Sequence, residues 1–486
     1  MNNKSLARGM MRVSMLVSLL LSSLGVIGCS ESEGTPANPP EPNTQIESVD
    51  TSISNPLQQE DPLSTKAGST PSNSYWPQWR GPRGTGVAPN ADPPVEWSET
   101  KNIRWKIGLP GHGHSTPIVW GDHVFVTAAI SVGDAVTPAP DTAPGAHDNS
   151  PVTHRRQFVA LAIRRSDGEI VWQRTLHEEL PHERTHNTGS LASASPVTDG
   201  EHLFAFFGSR GLFCLDLDGS LIWQADLGKM QSKHAHGEGA SPALYGDMLI
   251  VNWDHEGASF VVAFDKSTGE RRWTVDRDEV TSWATPIIVV HDGSPQVIVS
   301  GSKRLRAYDL ATGAIIWECG GLSNNVVASP VSSDGMVYAG SSYEKQTMLA
   351  IRLEGAQGDL GMTENLVWMR RRGTPYVPSP LLYDEALYFL HHYQGQLSRV
   401  IAKTGEEPLR PQRLSGIRNV YASPVGAAGR IYITDLDGAT LVLRHDARPE
   451  VLALNQLDDS FSASAALVDG ELYLRGESFL YCVVEE

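Results

Sequence analysis

A short phrase recurs along the chain with a nearly constant period, and this repeat limits the fold more than any other feature. Each copy is a Ser-Pro or Thr-Pro pair that opens an apolar stretch, and the prolines are Pro117, Pro196, Pro242, Pro286, Pro330, Pro380 and Pro424. An eighth copy, Ser464-Ala465, lacks the proline. Successive prolines are 79, 46, 44, 44, 50 and 44 residues apart. A period in the forties with four short strands per unit is typical of a β-propeller.

The units share a second signal, a tryptophan that follows a turn. In the third unit the predicted third strand ends in the turn Asp265–Gly269, and Trp273 lies four residues beyond the glycine. Asp and Gly suit such turns because Asp bonds its own backbone and Gly accepts a positive φ. Five units carry this residue, as Trp172, Trp223, Trp273, Trp317 and Trp368. We expect these indoles to pack between neighbouring blades.

The two ends of the repeat region predict how the ring closes. The eighth unit has three predicted strands, and the chain stops after Tyr481-Cys482-Val483-Val484 without a fourth. A tryptophan strand without a unit of its own, Asn102–Ile107, precedes the first unit. We therefore predict an all-β fold, an eight-bladed β-propeller over residues 75–486. Its N-terminal strand completes the last blade and leaves no open sheet edge.

Residues 1–28 have the features of a lipoprotein signal peptide. A basic start is followed by the apolar stretch Val13–Leu24, which is short for a membrane span. The segment ends in Val26-Ile27-Gly28-Cys29, which resembles the site where bacterial lipoproteins are cut and lipidated. We expect an exported protein that is lipid-anchored through Cys29 to the cell envelope, on the periplasmic side of the outer membrane. An ordinary secretory signal is the alternative.

Residues 29–74 predict a disordered tether between the lipid and the propeller. From Ser30 to Ser74 the segment has no aromatic residue and is rich in Pro, Ser, Thr, Asn and Glu. Such a composition cannot bury enough apolar surface to fold. The tether would let the propeller stand away from the membrane.

The charge of the chain argues against nucleic acid as a partner. The formal net charge is −17, and loss of the three cations of the signal peptide would take it to −20. An acidic protein repels the phosphate backbone and anionic membrane surfaces. Besides Cys29 there are three widely spaced cysteines, which we interpret as buried thiols rather than a disulfide framework: Cys214, Cys319 and Cys482.

The topology of a propeller places the candidate site residues on one face. Loops that join the second strand of a blade to the third, or one blade to the next, emerge together, and twelve of the sixteen histidines fall in or beside such loops. Two dense segments, Lys233–Gly239 and Val251–Gly257, belong to the same blade and face. The candidate ligand-binding residues are His112, His114, His234, His236, Glu238, Asn252, Asp254, His255, Glu256 and Trp283.

The chemistry of these residues allows three interpretations. Imidazole and carboxylate groups suit a divalent metal, with His234, His236, Asp254 and His255 as the possible ligands. The same groups could instead form a hydrogen-bonded network that makes the face rigid, or line a site for an organic ligand. No Ser-His-Asp triad or carboxylate pair can be assembled from the sequence, so no catalytic residue is predicted.

The repeats resemble those of pyrroloquinoline quinone (PQQ) propellers. The resemblance rests on the repeats Ala263–Trp273 and Ala307–Trp317, and on Trp76–Pro82 and Asn252–Gly257, which are similar to an exported bacterial family of PQQ-like repeat proteins. It covers the chain from Trp76 to the end. The superfamily includes PQQ-dependent alcohol dehydrogenases and the outer-membrane assembly lipoprotein BamB, which binds a partner without catalysis.

The resemblance implies two functions of different classes. A dehydrogenase would carry PQQ on the propeller axis, a calcium or lanthanide ion, an aspartate base and commonly a disulfide between adjacent cysteines. The chain has no adjacent cysteines and no Cys-X-X-Cys-His haem motif. We therefore favour a BamB-like scaffold that binds an envelope protein, with no cofactor required. The alternative is a PQQ- and calcium-dependent oxidoreductase that acts on alcohols or sugars.

Overall fold

The computed structural model describes residues 73–391 and 394–486. The signal peptide, Cys29 and nearly all of the tether lie outside the described residues. Within them, eight sheets form the blades of a propeller, as predicted; each has four antiparallel strands, and the sheet of blade four gains a short fifth strand that pairs in parallel. The strands of each blade are named A to D from the first to the last in the sheet. No helix in this part of the chain is long and apolar enough to cross a membrane.

The strands of each blade follow in the order A, B, C and D. Blade one consists of Ile118–Trp120, His123–Val132, Arg155–Arg164 and Ile170–Glu179, and blade two of Val197–Thr198, His202–Phe206, Leu212–Asp216 and Leu221–Ala225. Blade three consists of Ala243–Tyr245, Met248–Trp253, Ser259–Asp265 and Arg271–Arg277, and blade four of Ile287–His291, Ser294–Val299, Arg304–Asp309 and Ile315–Gly320. Blade five consists of Val331–Ser333, Met336–Ser341, Thr347–Arg352 and Leu366–Arg370, and blade six of Leu381–Tyr383, Ala386–Leu390, Gln396–Ile401 and Gln412–Arg413. Blade seven consists of Val425–Ala427, Arg430–Thr434, Ala439–Arg444 and Val451–Gln456, and blade eight of Ala466–Val468, Glu471–Arg475, Phe479–Val484 and Ile103–Gly108. Outside these four-strand sets lie the strands Asn149–Ser150, Thr185–His186 and Gly358–Asp359 and the 3-10 helices Gly208–Arg210 and Lys233–Ala235.

The N-terminal strand closes the ring. Ile103–Gly108 is strand D of blade eight, and Trp105 lies directly opposite Cys482 in an antiparallel pair. Strand A of blade eight also contacts strand A of blade one. The predicted closure is confirmed, and it joins the first strand of the domain to its last.

The tryptophans fasten each blade to the next. The Nε1–H of Trp172 donates a hydrogen bond to the carbonyl of Leu217 in blade two, and its ring packs on Gly219. That glycine has a φ of 83°, and a Cβ there would lie within 3 Å of the indole. A glycine is therefore required at this turn. The same contact is made by Trp105, Trp223, Trp273 and Trp368.

Trp317 departs from this pattern. Its Nε1–H donates to the Gln296 side chain of its own blade, at 3.0 Å. The C–D connection of blade five is long, and within it Gly358–Asp359 pairs in parallel with strand D of blade four. The insertion replaces the short glycine turn on which the indole would otherwise pack.

The recurring Ser or Thr before each proline has a structural role of its own. The backbone N–H of each one donates to the hydroxyl oxygen of the next, as from Ser195 to Ser241 at 2.9 Å and from Ser241 to Thr285 at 3.0 Å. Seven such bonds run round the axis and define the hydroxyl girdle: Thr116, Ser195, Ser241, Thr285, Ser329, Ser379, Ser423 and Ser464. The eighth copy of the repeat has lost its proline but keeps the serine, because the girdle needs its oxygen.

Two threonines of the girdle give a matched test. The Thr285 oxygen accepts the buried N–H of Ser241, whereas the buried Thr116 oxygen has no partner among the described residues. Thr285→Val removes an acceptor and leaves a buried N–H unsatisfied, so we expect a loss of about 1–3 kcal/mol in the free energy of unfolding. Thr116→Val removes no hydrogen bond and should be nearly neutral. Denaturant titration of both variants checks this, and equal losses would contradict the girdle.

Candidate functional site

Three long loops meet on one side of the ring, over blades one to three. The B–C loops and the connections between blades emerge on this side, here named the first face, because the strands of each blade alternate in direction. Residues 133–154 of blade one pair with the blade one–two connection through Asn149–Ser150 and Thr185–His186. The blade two–three connection joins them, since the His186 N–H donates to the His236 carbonyl at 3.1 Å. The three loops therefore form one polar surface.

Two of the candidate metal ligands lie in this loop cluster. His234 and His236 have ring centroids 5.3 Å apart, and His147 lies 5.3 Å from the first and 4.8 Å from the second. His186 lies 4.7 Å from His236. The sequence placed His147 and His186 on the first face but did not join them to the candidates. The length of the blade one loop was the only signal that it reaches blade three.

The other two candidate ligands, Asp254 and His255, already have partners. The Asp254 carboxylate accepts hydrogen bonds from Arg277 Nε at 2.7 Å and Nη2 at 3.0 Å, and both side chains are fully buried. Ser282 Oγ donates to the same carboxylate at 2.9 Å, and Arg277 also donates to the Tyr308 hydroxyl. A buried carboxylate that is engaged in this way neutralises an arginine and is not open to a metal ion.

His255 and Glu256 bind the neighbouring loops. His255 Nδ1 accepts backbone N–H groups of Gln231 and Gly257, each at 3.1 Å, and its Nε2 faces the Ala258 carbonyl, so the ring donates through Nε2. Glu256 accepts the Thr281 hydroxyl at 2.9 Å. The remaining candidates of this blade make similar contacts, namely Glu238 with Ser209, Trp283 with the Gly237 carbonyl and Asn252 with Ser282. These contacts favour the hydrogen-bonded network among the three interpretations.

His112 and His114 lie side by side at the entry to blade one. Their ring centroids are 5.0 Å apart, and Glu477 lies 3.3 Å from His112 Nε2. Burial lowers the pKa of His114 to about 3, and the charges of His112 and Arg475 act in the same direction. The nearby arginine makes this pair a poor place for a cation.

The depressed pKa of His114 predicts a loss of stability in acid. Below about pH 6.5 the unfolded chain takes up a proton that the folded protein resists, so stability falls as the pH falls from there toward the folded pKa. Between pH 6.5 and about pH 5 we expect wild type to lose about 1–2 kcal/mol more than His114→Gln. Urea titrations at both pH values measure this difference. Parallel losses in the two proteins would contradict it.

Two groups of carboxylates and histidines among the described residues lie close enough together to be compared with a metal site. Two sets of three metal-ligand atoms lie within 4.8 Å of one another, His182 with Glu183 and Glu238, and Asp199 with Glu201 and His202. Glu183 accepts the N–H and hydroxyl of Ser232, and Glu238 those of Ser209, with Arg210 at 3.3 Å. Asp199 pairs with Lys266 at 2.6 Å. In both sets carboxylates already accept hydrogen bonds from the protein or pair with a cation, so neither set is a ready-made site for calcium.

The three cysteines of the described residues also give no support to the PQQ-dependent oxidoreductase alternative. Cys214, Cys319 and Cys482 are free and buried, as the sequence predicts. Burial raises the pKa of Cys214 and Cys482 to about 12 and that of Cys319 to about 11. Such thiols are protonated at neutral pH and unreactive.

A cavity of about 1500 Å³ opens on the opposite side, the second face, and no motif in the sequence predicts it. The cavity is lined by the A strands and by the A–B and C–D turns of several blades. Residues 77–89 also line it and cross its opening. Arg80 anchors this segment, since its guanidinium donates to the carbonyls of Pro380 and Pro424, each at 2.7 Å. Burial lowers the pKa of Arg80 to about 9. The segment with the Trp76–Pro82 motif therefore runs across the opening, from blade one, where Trp76 pairs with Val119, to blades six and seven.

Solved structures share this architecture. BamB from Moraxella catarrhalis matches with a TM-score of 0.51 and 16% identity, over 78% of this chain and 98% of that chain. The computationally designed protein Ika8 gives 0.50 and 10%, over 81% and 100%. The quinohemoprotein alcohol dehydrogenase ADHIIG from Pseudomonas putida HK5 gives 0.50 and 10%, over 85% and 80%. Since all are below a quarter identical, they show the fold alone.

Sequence comparison supplies the family. No curated protein matches the chain at a significant level. The family model described as outer membrane protein assembly factor BamB matches residues 155–407 and again residues 257–483. The two matches overlap and together span well over half of the chain. The chain therefore belongs to this family of PQQ-like β-propellers.

Proposed function

We propose that this protein is a lipid-anchored component of the cell envelope whose propeller is a binding platform for an envelope protein. Cys29 would carry the lipid, residues 29–74 would form the tether, and residues 75–486 would form the platform. The family description supports an envelope role, because its model is named for an outer-membrane assembly factor. The periplasmic side of the outer membrane is the location that fits this role.

The observation that carries the proposal is that polar side chains of the first face hold its loops and strands together. Asp254, His255, Glu256 and Glu238 all bind neighbouring loops or strands. Loops held in this way are already ordered, so little conformational entropy is lost when a partner docks on them. Side chains engaged in this way suit recognition better than proton transfer, which needs an unengaged acid or base.

The acidic charge of the chain restricts the kind of partner that we expect. A net charge of −17 over the chain favours association with a surface that carries basic groups and disfavours nucleic acid. The partner is therefore expected to be a protein whose binding face is neutral or basic.

Affinity purification from envelopes tests the proposal against the enzyme alternative. The full chain, processed in its own envelope, is captured in mild detergent, and a defined envelope protein should co-purify in a fixed ratio. Recovery of the propeller alone, where other envelope complexes survive, would count against a platform. The same preparation is then incubated with PQQ and calcium. Dye reduction with an alcohol or a sugar would establish the oxidoreductase instead.

A further inference from the structure

Four histidines on the first face form a cluster that the proposed function does not use. The histidine cluster consists of His147, His186, His234 and His236, and neighbouring ring centroids are 4.7–5.3 Å apart. Its members come from three separate loops, the B–C loop of blade one and the connections on either side of blade two. Convergence of four imidazoles from three loops calls for a chemical explanation.

The hydrogen bonds of two rings leave nitrogen lone pairs available. His147 Nδ1 lies 2.8 Å from the Gly145 carbonyl, and His234 Nδ1 lies 2.9 Å from the Pro144 carbonyl. A carbonyl only accepts, so each Nδ1 carries the proton and each Nε2 has a free lone pair. A backbone carbonyl that holds one ring nitrogen while the other binds a metal is the usual outer contact of a histidine ligand.

His236 supplies a third unused nitrogen. Its Nε2 is shielded from solvent and has no hydrogen-bond partner among the described residues. A buried polar atom without a partner is uncommon in native proteins and needs a reason.

The backbone of the cluster is also unusual. His234 and Ala235 both have a positive φ, of 57° and 55°, inside the short 3-10 helix Lys233–Ala235. Two consecutive non-glycine residues in this region are costly, and such strain persists where the surroundings enforce it and tends to occur at functional sites. Here it brings the His234 ring against the blade one loop at Gly145.

We propose that His147, His234 and His236 bind one divalent transition-metal ion, while His186 lies beside them with its Nδ1 already accepting the Thr188 N–H at 3.2 Å. Imidazole ligands without carboxylates suit Zn²⁺, Cu²⁺ or Ni²⁺ better than Ca²⁺ or Mg²⁺. The rings must turn inward to bind it, since the described sets of ligand atoms within 4.8 Å of one another lie elsewhere. The His147 side chain is exposed, so no buried packing opposes this movement. The ion would join blade one to the blade two–three connection and fix the loops of the first face.

This site differs from the metal site expected from the sequence, which combined His234 and His236 with Asp254 and His255. Asp254 is committed to Arg277, and His255 Nδ1 is filled by two backbone N–H groups. The inference also stands apart from the proposed function, because it concerns metal content and not a partner.

Metal binding by the purified full chain tests the inference. The protein is freed of metal with a chelator, dialysed, and titrated with Zn²⁺ by calorimetry, and its bound metal is measured by elemental analysis. We expect one equivalent of zinc. His147→Gln and His236→Gln should each weaken binding by more than about tenfold, since they remove a ligand rather than an outer contact. His154→Gln, on the same blade one loop, is the matched control and should bind as wild type does.

Every outcome of these titrations either supports or overturns the metal-binding inference. Absence of stoichiometric zinc, or unchanged affinity in His147→Gln, overturns the inference. Loss of binding in His182→Gln, with the histidine cluster variants intact, would move the ion to the His182, Glu183 and Glu238 set and also overturn it. Thermal melts of the metal-free variants show whether they fold, and His147 is an exposed loop residue whose replacement should not disturb folding. Co²⁺ substitution adds a spectroscopic readout, because a tetrahedral imidazole site has visible absorption that His147→Gln should abolish.

Discussion

Asp254→Asn is expected to destabilise the propeller by about 3–5 kcal/mol, because it leaves the buried cation of Arg277 without its counter-charge. Both side chains are fully buried, and the guanidinium binds the carboxylate through two nitrogens. Asparagine keeps the size but not the charge, so the loss is electrostatic. Urea unfolding at neutral pH measures it.

Two comparisons make this prediction specific. Glu178→Gln removes the partner of Arg155 in an exposed ion pair, and its cost should stay below about 1 kcal/mol. The double change Asp254→Leu with Arg277→Met removes both charges and should recover most of the stability. Zinc content should be the same in all of these proteins. A cost below about 1 kcal/mol for Asp254→Asn alone would show that the buried ion pair does not contribute the stability expected of it.

Trp105→Ala is expected to cost about 3–5 kcal/mol, the range for a buried tryptophan that leaves a cavity. Trp105 is buried, donates to the Arg165 carbonyl in blade one and packs on Gly168. It therefore holds blade eight to blade one, where the two ends of the domain meet. Loss of this contact should weaken the closure of the ring as well as the local packing.

Val451→Ala is the matched control for the tryptophan. Val451 opens strand D of blade seven, and its side chain is 58% exposed. Its replacement should change stability by no more than about 0.5 kcal/mol. Equal effects at the two positions in thermal melts would contradict the role given to Trp105 in closure.

The repeat made the fold predictable. The eight blades and the closure of the last one follow from the period, from a strand without a unit at the start of the domain and from a last unit that lacks its fourth strand. The packing of the tryptophans on glycine turns could also be predicted, because every unit repeats the same local geometry. Trp317 escaped prediction since its partner turn is replaced by the insertion that carries Gly358–Asp359.

The site was less predictable because its contacts are not repeated. Asp254 and Arg277 are 23 residues apart, and only the pairing of strands B, C and D in one sheet brings them together. The histidine cluster depends on the path of residues 133–154, a loop found in blade one and without a period. The cavity on the second face depends on how residues 77–89 cross the ring.

Photo-crosslinking in intact cells tests the central claim, that the first face of a closed propeller binds an envelope protein. A photoreactive residue is placed at exposed positions of the first face, Thr142 and Lys229, and of the second face, Glu201 and Glu270. The account predicts a discrete adduct with one envelope protein from the first-face positions and none from the second. Adducts confined to the second face, or no adduct from either face, would contradict it.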